Sequence, residues 1–306
     1  MPTAMGTFPR VLQADQICRV NIFDIALGSS VSVFETSSLL LEAPNWTRDG
    51  RSLILNGDGL VWRLDLDTFE LSRIEYVGLP AVNNDHVLAA DREHVFFSAR
   101  DYHLYEGSVH GGKVRRVSLD HSPTRMHFLH GVSPDGSTLA YIGIEADDAN
   151  RAAANIFTLD IAGGAENQIT FGNRPSDGSE YSSDGWLYFN TELFSAKAGH
   201  AQIARIRPDG SELEQLTEDD RVNWFPHPSP DNERIVYLSY EPGTVGHPAD
   251  EKVELRLVDG VNFRRFQTVA TLHGGQGTIN VNSWAPDSAR FAFVDYPMAP
   301  RDVPSR

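Results

Sequence analysis

An aspartate-centred turn recurs six times along this 306-residue chain, and this repeat constrains the fold more than any other feature. In turns such as SPDG and SPDN, proline presets φ, aspartate hydrogen-bonds its own backbone and glycine or asparagine tolerates a positive φ. Successive turns are 42 to 56 residues apart. The turn aspartates are Asp49, Asp91, Asp135, Asp184, Asp231 and Asp287.

Short β-rich runs follow each turn. The first run after a turn alternates apolar and polar residues, and it is predicted at 52–55, 94–98, 137–142, 186–190, 234–240 and 290–296. A second run of the form apolar-x-apolar ends in a small turn, at 61–67, 156–164, 203–210 and 255–260. Four strands in about 45 residues are typical of a β-propeller blade, so six turns predict six blades.

The two ends of the chain complement each other. The last unit, 278–296, supplies only two strands, whereas 20–28 and 30–37 have the form of a third and a fourth strand. Pairing them would close the ring and remove exposed sheet edges. We therefore predict one all-β domain over 1–306, a six-bladed β-propeller of four-stranded blades. Residues 19–37 complete the last blade, 1–18 form an N-terminal arm and 297–306 a C-terminal tail.

The charge of the chain restricts its partners. Asp and Glu number 42 against 26 Lys and Arg, which gives a formal net charge of −16. Such an acidic surface repels nucleic acid and anionic membranes, so no nucleic-acid partner is expected. No apolar run is long enough for membrane insertion. With no visible signal peptide, the chain as given is expected in the cytoplasm, or in the periplasm if a leader was removed.

Three stretches resemble a known family. They are ENQITFGN, ELEQLTEDDRVNWFPHPSPDNERIVYLSY and NSWAPDSARFAFVDY. They are similar to the repeats of the TolB propeller family, and the similarity extends over nearly the whole chain. It implies a stand-alone TolB-like propeller, because the α/β domain and export signal of TolB proteins are not recognisable in this sequence.

A ligand site is predicted at one mouth of the central channel. The first strands of the blades border this channel, and the Asp turns lie at one end of it, the turn mouth. The longest insertions, 145–155, 191–201 and 241–252, lie at the other end, the loop-rich mouth, where binding is expected. The candidate ligand-binding residues are His130, Glu180, Tyr181, Asn223, Trp224, His227, His247, Asn280 and Asn282.

Metal binding and catalysis have less support in the sequence. His127, His130 and His227 could supply nitrogen ligands, with Glu180 an oxygen. However, positions i and i+3 of a strand point to opposite faces, so His127 and His130 cannot share an ion without a bulge. No cofactor is predicted, and His130 and His227 remain the candidate metal ligands. The single cysteine, Cys18, excludes a thiolate zinc cluster, and the common catalytic motifs are absent.

Three functions remain open. The first is a non-catalytic module that binds a peptide, a protein segment or a small saccharide at the loop-rich mouth. The second resembles the propeller-fold oligogalacturonate lyases, with His130 and His227 holding a metal, His247 or Tyr181 as base and Arg174 facing a uronic acid. The third is an interaction hub that uses the outer surface.

The recurrence of Trp46 and Trp284 before their turns indicates packing between blades for both.

Overall fold

The structure is a computed structural model, and it describes residues 10–91, 93–121, 125–146, 152–260 and 262–299. The predicted arm and tail therefore lie partly outside the described residues, as do residues 147–151 of the first long insertion. The described residues form strands and turns, and none of them belongs to a helix. Over these same ranges there is accordingly no helix that could cross a membrane.

Two N-terminal strands belong to the same sheet as the last strand of the chain, and two blades follow them. The N-terminal strands are β1 (Cys18–Asp24) and β2 (Ser29–Thr36). The first blade contains β3 (Glu42–Trp46), β4 (Ser52–Gly57), β5 (Leu60–Asp65) and β6 (Leu71–Ile74). The second contains β8 (Val82–Leu88), β9 (His94–Ala99), β10 (Leu104–Ser108) and β12 (Arg115–Arg116). A short parallel pair, β7 (Tyr76–Val77) with β11 (Gly112–Lys113), joins these two blades.

The next three blades repeat the same antiparallel order of four strands. The third contains β13 (Arg125–Val132), β14 (Thr138–Ala146), β15 (Ala152–Asp160) and β16 (Glu166–Gln168). The fourth contains β17 (Ser176–Tyr181), β18 (Leu187–Thr191), β19 (Gln202–Ile206) and β20 (Glu214–Gln215). The fifth contains β21 (Val222–Pro228), β22 (Arg234–Tyr240), β23 (Ala249–Asp259) and β24 (Phe266–Gly275). At both ends of the insertion predicted at 145–155 the described residues are strand, because β14 and β15 stay paired as far as Ala146 and Ala152.

The sixth blade closes the ring with strands from both ends of the chain. The last strand, β25 (Arg290–Asp295), pairs antiparallel with β1, which in turn pairs with β2. The innermost segment, 278–285, is attached to β25 by an isolated bridge between Trp284 and Phe291 and by a hydrogen bond from the Val294 amide to the carbonyl oxygen of Thr278. It is irregular because its asparagines bond the local backbone: Asn282 Oδ1 accepts from the Trp284 amide at 3.0 Å. The six-bladed propeller and its mixed closure are thus confirmed.

The core lies between neighbouring blades. Each buried apolar cluster takes most of its side chains from two adjacent sheets. At the closure, Phe23 of β1 stacks on Phe291 of β25 with ring centroids 5.1 Å apart. Trp46 and Trp284 are each 2% exposed and belong to these clusters, so the packing predicted for both is confirmed.

Two local features of the backbone bear on the channel. The register of all five regular inner strands shifts at a bulge, as between Glu42 and Asn45 in β3. A bulge turns the following side chains to the other face of the strand. At the end of β24, Gly275 has φ +109°, and a Cβ added there would lie 2.1 Å from the carbonyl oxygen of Pro248. This close approach requires glycine.

Candidate functional site

A cavity of about 300 Å³ lies at the turn mouth of the channel. The ends of the inner strands of all six blades line it, together with Ser133, Ser182, Ser229 and the prolines of the same turns. It therefore opens on the face that carries the Asp turns. This is the opposite end of the channel from the loop-rich mouth, where the sequence predicted binding.

Three of the predicted residues form a hydrogen-bonded network beside this cavity. Glu180, 5% exposed, accepts a hydrogen bond from Asn282 and pairs with His227 Nδ1. His227 Nε2 contacts the carbonyl oxygen of Ile279, so both ring nitrogens lie against oxygen atoms. Asn282 Nδ2 also donates to the carbonyl oxygen of Pro228 at 3.0 Å. Glu180 is thus a fixed carboxylate at the inner end of the cavity.

The wall of the cavity is mainly neutral. Tyr181, predicted from sequence, lies on it and is partly buried. Valine, leucine, proline and alanine side chains provide the apolar part, and serine hydroxyls and Asn45 provide the polar part. Among the residues that line the cavity, Glu180 alone has a carboxyl group. The cavity therefore suits a ligand with an apolar group and a hydrogen-bond donor.

A second group of ionisable residues is buried farther along the channel. His130 Nε2 lies 3.2 Å from Asp177 Oδ1, and Nδ1 lies 3.2 Å from the carbonyl oxygen of Asn280. Burial opposes protonation of His130, but the carboxylates of Asp85 and Asp177 outweigh it and raise the pKa of the imidazole to about 9. Burial also raises the pKa of Asp85 to about 6. His130 is therefore a buried imidazolium held by acidic partners.

His247 adjoins this group. Its Nε2 lies 4.0 Å from Asp177 Oδ2, and its ring lies over Trp224 with centroids 4.5 Å apart. Burial lowers the pKa of His247 more than the charge of Asp177 raises it. The loop that carries it, between β22 and β23, thus places a neutral imidazole on the loop-rich side of His130.

Three predicted residues are buried in structural contacts. Asn223 is fully buried, accepts from Ser239 Oγ at 2.7 Å and donates to Asp219 Oδ1 at 3.1 Å. Trp224, 5% exposed, belongs to the core between the last two blades. Asn280 Oδ1 accepts from the Gly277 amide at 2.6 Å. The structure therefore separates these side chains from the cavity. Of the other candidates, Glu180, Tyr181, His227 and Asn282 lie at or beside the cavity, and His130 and His247 lie farther along the channel.

Sequence reasoning missed several channel residues. Asp85 is one of them, although its position on the inner strand before the Asp91 turn was a usable signal. Arg10 of the N-terminal arm is another: NH1 lies 3.3 Å from Glu42 Oε1 and NH2 lies 2.8 Å from Asp250 Oδ1. Burial raises the pKa of Glu42. Arg10 thus lies against the loop-rich mouth, and no motif marked this contact.

Metal ligands do not converge in the described part of the channel. His130 and His227 each have both ring nitrogens beside acceptor oxygens, so metal binding would require breaking these contacts. His127 and His130 point away from each other, and His127 lies between the second and third blades. There it meets His121 and Glu166, a combination that sequence spacing did not suggest.

Comparison with known proteins gives one clear sequence relative. An uncharacterized protein from Agrobacterium fabrum is 35% identical over 285 residues, which cover 90% of this chain and 92% of that protein. A solved structure of a candidate TolB protein from Agrobacterium tumefaciens has a TM-score of 0.84 at 33% identity, and the match covers 93% of this chain and 99% of that one. No family model matches the sequence.

More distant structures share the fold. TolB from Acinetobacter baumannii has a TM-score of 0.59 at 16% identity, over 87% of this chain and 66% of that one. An oligogalacturonate lyase in complex with manganese has a TM-score of 0.55 at 15% identity, over 86% and 75%. At these identities the likeness concerns the arrangement of the blades, and function has to be argued from the side chains.

Proposed function

Because this chain belongs to the TolB-like family of six-bladed β-propellers, we propose that it is a binding protein that holds a peptide or protein segment at the turn mouth of its channel. The observation that carries the proposal is the cavity of about 300 Å³ above Glu180. A rigid ring of six blades keeps such a cavity formed without a ligand, which lowers the entropic cost of binding.

The chemistry of the wall favours a peptide over a saccharide. Sugar rings stack on exposed aromatic faces, but Trp46 and Trp284 are each 2% exposed and their rings are used in packing. Besides the partly buried ring of Tyr181, the wall offers aliphatic groups, serine hydroxyls and one fixed carboxylate. An apolar side chain next to a basic or amide group fits this surface, and the net charge of −16 attracts a basic segment.

The alternative of metal-dependent action on carbohydrate has less support from the channel. Its proposed ligands, His130 and His227, have their ring nitrogens engaged with oxygens. Arg174, the residue proposed to face the carboxylate of a uronic acid, precedes β17 on the loop-rich side, away from the cavity at the turn mouth. We therefore retain peptide binding as the proposed function.

A peptide-display selection with two blocking variants tests the proposal. Ala90 is exposed at the rim of the cavity, so Ala90→Trp should fill its entrance without disturbing the core. Val245, 53% exposed on the loop between β22 and β23, gives the matched control Val245→Trp at the loop-rich mouth. Peptides selected on the unmodified protein should bind Ala90→Trp at least tenfold more weakly by calorimetry, and Val245→Trp with unchanged affinity.

The opposite pattern would refute the turn-mouth site. Equal affinity for Ala90→Trp and the unmodified protein would place the ligand elsewhere, and loss of binding in Val245→Trp would move it to the loop-rich mouth. Glu180→Gln then separates charge from shape, because it removes the negative charge while keeping the size of the side chain. Glu180→Gln should weaken the binding of basic peptides and leave the binding of uncharged peptides unchanged.

A further inference from the structure

Three potential metal ligands meet between the second and third blades, outside the channel. His127 lies on the inner strand β13, Glu166 on the outer strand β16, and His121 on the connection between the two blades. His121 Nε2 is 3.0 Å from Glu166 Oε2, and His127 Nε2 is 3.8 Å from Glu166 Oε1. One ligand atom from each of the three residues lies within 4.8 Å of the other two.

His127 is oriented as a ligand. Its side chain has no exposed surface, and its Nδ1 lies 2.7 Å from the carbonyl oxygen of Tyr102, to which it donates a hydrogen bond. This bond directs the lone pair of Nε2 toward Glu166. A backbone carbonyl that accepts from the second ring nitrogen is the usual support of a metal-bound histidine.

The polar atoms that face this point lack hydrogen-bond partners. His127 Nε2 and Glu166 Oε1 are buried and make no hydrogen bond, and His121 Nε2, also buried, has the 3.0 Å contact with Glu166 Oε2 but no hydrogen bond. Buried polar atoms in native proteins are nearly always satisfied, so three of them at one point call for an explanation. Neighbouring contacts preserve the arrangement: Arg125 NH1 binds the other oxygen, Glu166 Oε2, at 2.7 Å, and leaves Oε1 free.

We propose that His121, His127 and Glu166 form a binding site for a divalent transition-metal ion of the zinc type. Two imidazoles and one carboxylate are a known zinc ligand set, with a fourth position left for water. Ligand atoms about 2.1 Å from a tetrahedral ion are about 3.4 Å apart, and here one ligand atom from each residue lies within 4.8 Å of the other two, so the side chains would have to draw together by about 1 Å. Ca²⁺ and Mg²⁺ prefer oxygen ligands and fit this set poorly.

The ion would cross-link three segments of the chain. His121 lies between the blades, and His127 and Glu166 lie on the inner and outer strands of one sheet. Binding would therefore hold the connection between the second and third blades against the face of the third. The side chains of His121 and Glu166 are 20% and 11% exposed, so the site lies just below the protein surface.

Cobalt and zinc titrations of the chelator-treated full chain test this site. Co²⁺ should bind at one ion per chain with the visible absorption of tetrahedral coordination, and Zn²⁺ should displace it and raise the thermal midpoint. His121→Ala and Glu166→Gln each remove a ligand without emptying the core, and both should weaken Co²⁺ binding about 100-fold or more. Mg²⁺ at the same concentration should leave the midpoint unchanged.

A matched histidine variant serves as the control. His94 is about half exposed beside Asp91 and lies far from the cluster in the sequence, so His94→Ala should bind Co²⁺ as the unmodified protein does. The proposal is overturned if the unmodified chain takes up no Co²⁺ or Zn²⁺. It is also overturned if His121→Ala and Glu166→Gln bind as tightly as His94→Ala, because the ion would then sit elsewhere.

Discussion

Replacing His130 with glutamine should remove a pH-dependent part of the stability of the propeller. In the folded protein the carboxylates of Asp85 and Asp177 outweigh burial and raise the pKa of His130 from 6.5 to about 9. This difference corresponds to about 3 kcal/mol in favour of the folded, protonated state. Because the folded pKa lies above the unfolded one, this stabilisation is complete below pH 6.5 and is lost as pH rises through 9.

Urea unfolding between pH 6 and 9.5 measures this effect. The free energy of unfolding of the unmodified protein should fall across this range by about 3 kcal/mol more than that of His130→Gln. At pH 6 the variant should be the less stable protein, because the charges of Asp85 and Asp177 then lack a cation. Asp85 titrates at the lower edge of this window, because burial raises its pKa from 3.8 to about 6, so the fall above pH 7 is the part that belongs to His130.

Parallel stability curves for the two proteins would refute the reasoning. They would mean that His130 has the same proton affinity in the folded and unfolded states. An alkaline loss that persists unchanged in His130→Gln would point to another group. Near-ultraviolet circular dichroism at pH 6 checks that the variant keeps the native packing of its aromatic side chains.

Three further substitutions test the packing. Phe291→Ala at the ring closure should cost about 4 kcal/mol in urea unfolding, whereas Val31→Ala, at a position 61% exposed, should change little; equal effects would contradict the stacked closure. Arg10→Ala should cost about 3 kcal/mol, because it leaves Glu42 buried without its cation, and Arg10→Ala combined with Glu42→Gln should recover part of this loss. Gly275→Ala should lower the thermal midpoint by several degrees, since both its φ and the neighbouring carbonyl exclude a side chain; an unchanged midpoint would show that the backbone can move.

The fold could be predicted because its signals are local and repeated. Each Asp turn closes one hairpin of one blade, so the six turns predicted six blades. The closure followed from the half-blade at each end, and the structure pairs Arg19 with Asp295 and Asp24 with Arg290 as that reasoning requires. The ends of the strands were predicted less accurately. The run predicted at 156–164 is the strand β15, Ala152–Asp160, because the length of a strand depends on the partner with which it pairs.

The candidate site was harder to predict for a physical reason. The inner strands bulge, as between Trp224 and His227 in β21, and a bulge changes which side chains face the channel. Asn223 and His227 would share a face on a regular strand, but Asn223 contacts Asp219 while His227 contacts Glu180. The cluster at His127 joins residues up to 45 positions apart, which single-sequence spacing does not bring together.

The closure of the ring also fixes how the molecule responds to force. In the antiparallel pair of β1 and β25, Arg19 lies opposite Asp295, so the segments that lead to residues 10 and 299 leave the sheet at the same end. Tension applied between them would load the hydrogen bonds of this pair one after another, like a zipper, instead of all together in shear. The backbone hydrogen bonds between residues 15–17 and 297–299 would take the load first, and the ion pair of Arg19 with Asp295 would follow. Pulled in this way, the ring should open into a crescent at low force while its five four-stranded blades stay folded.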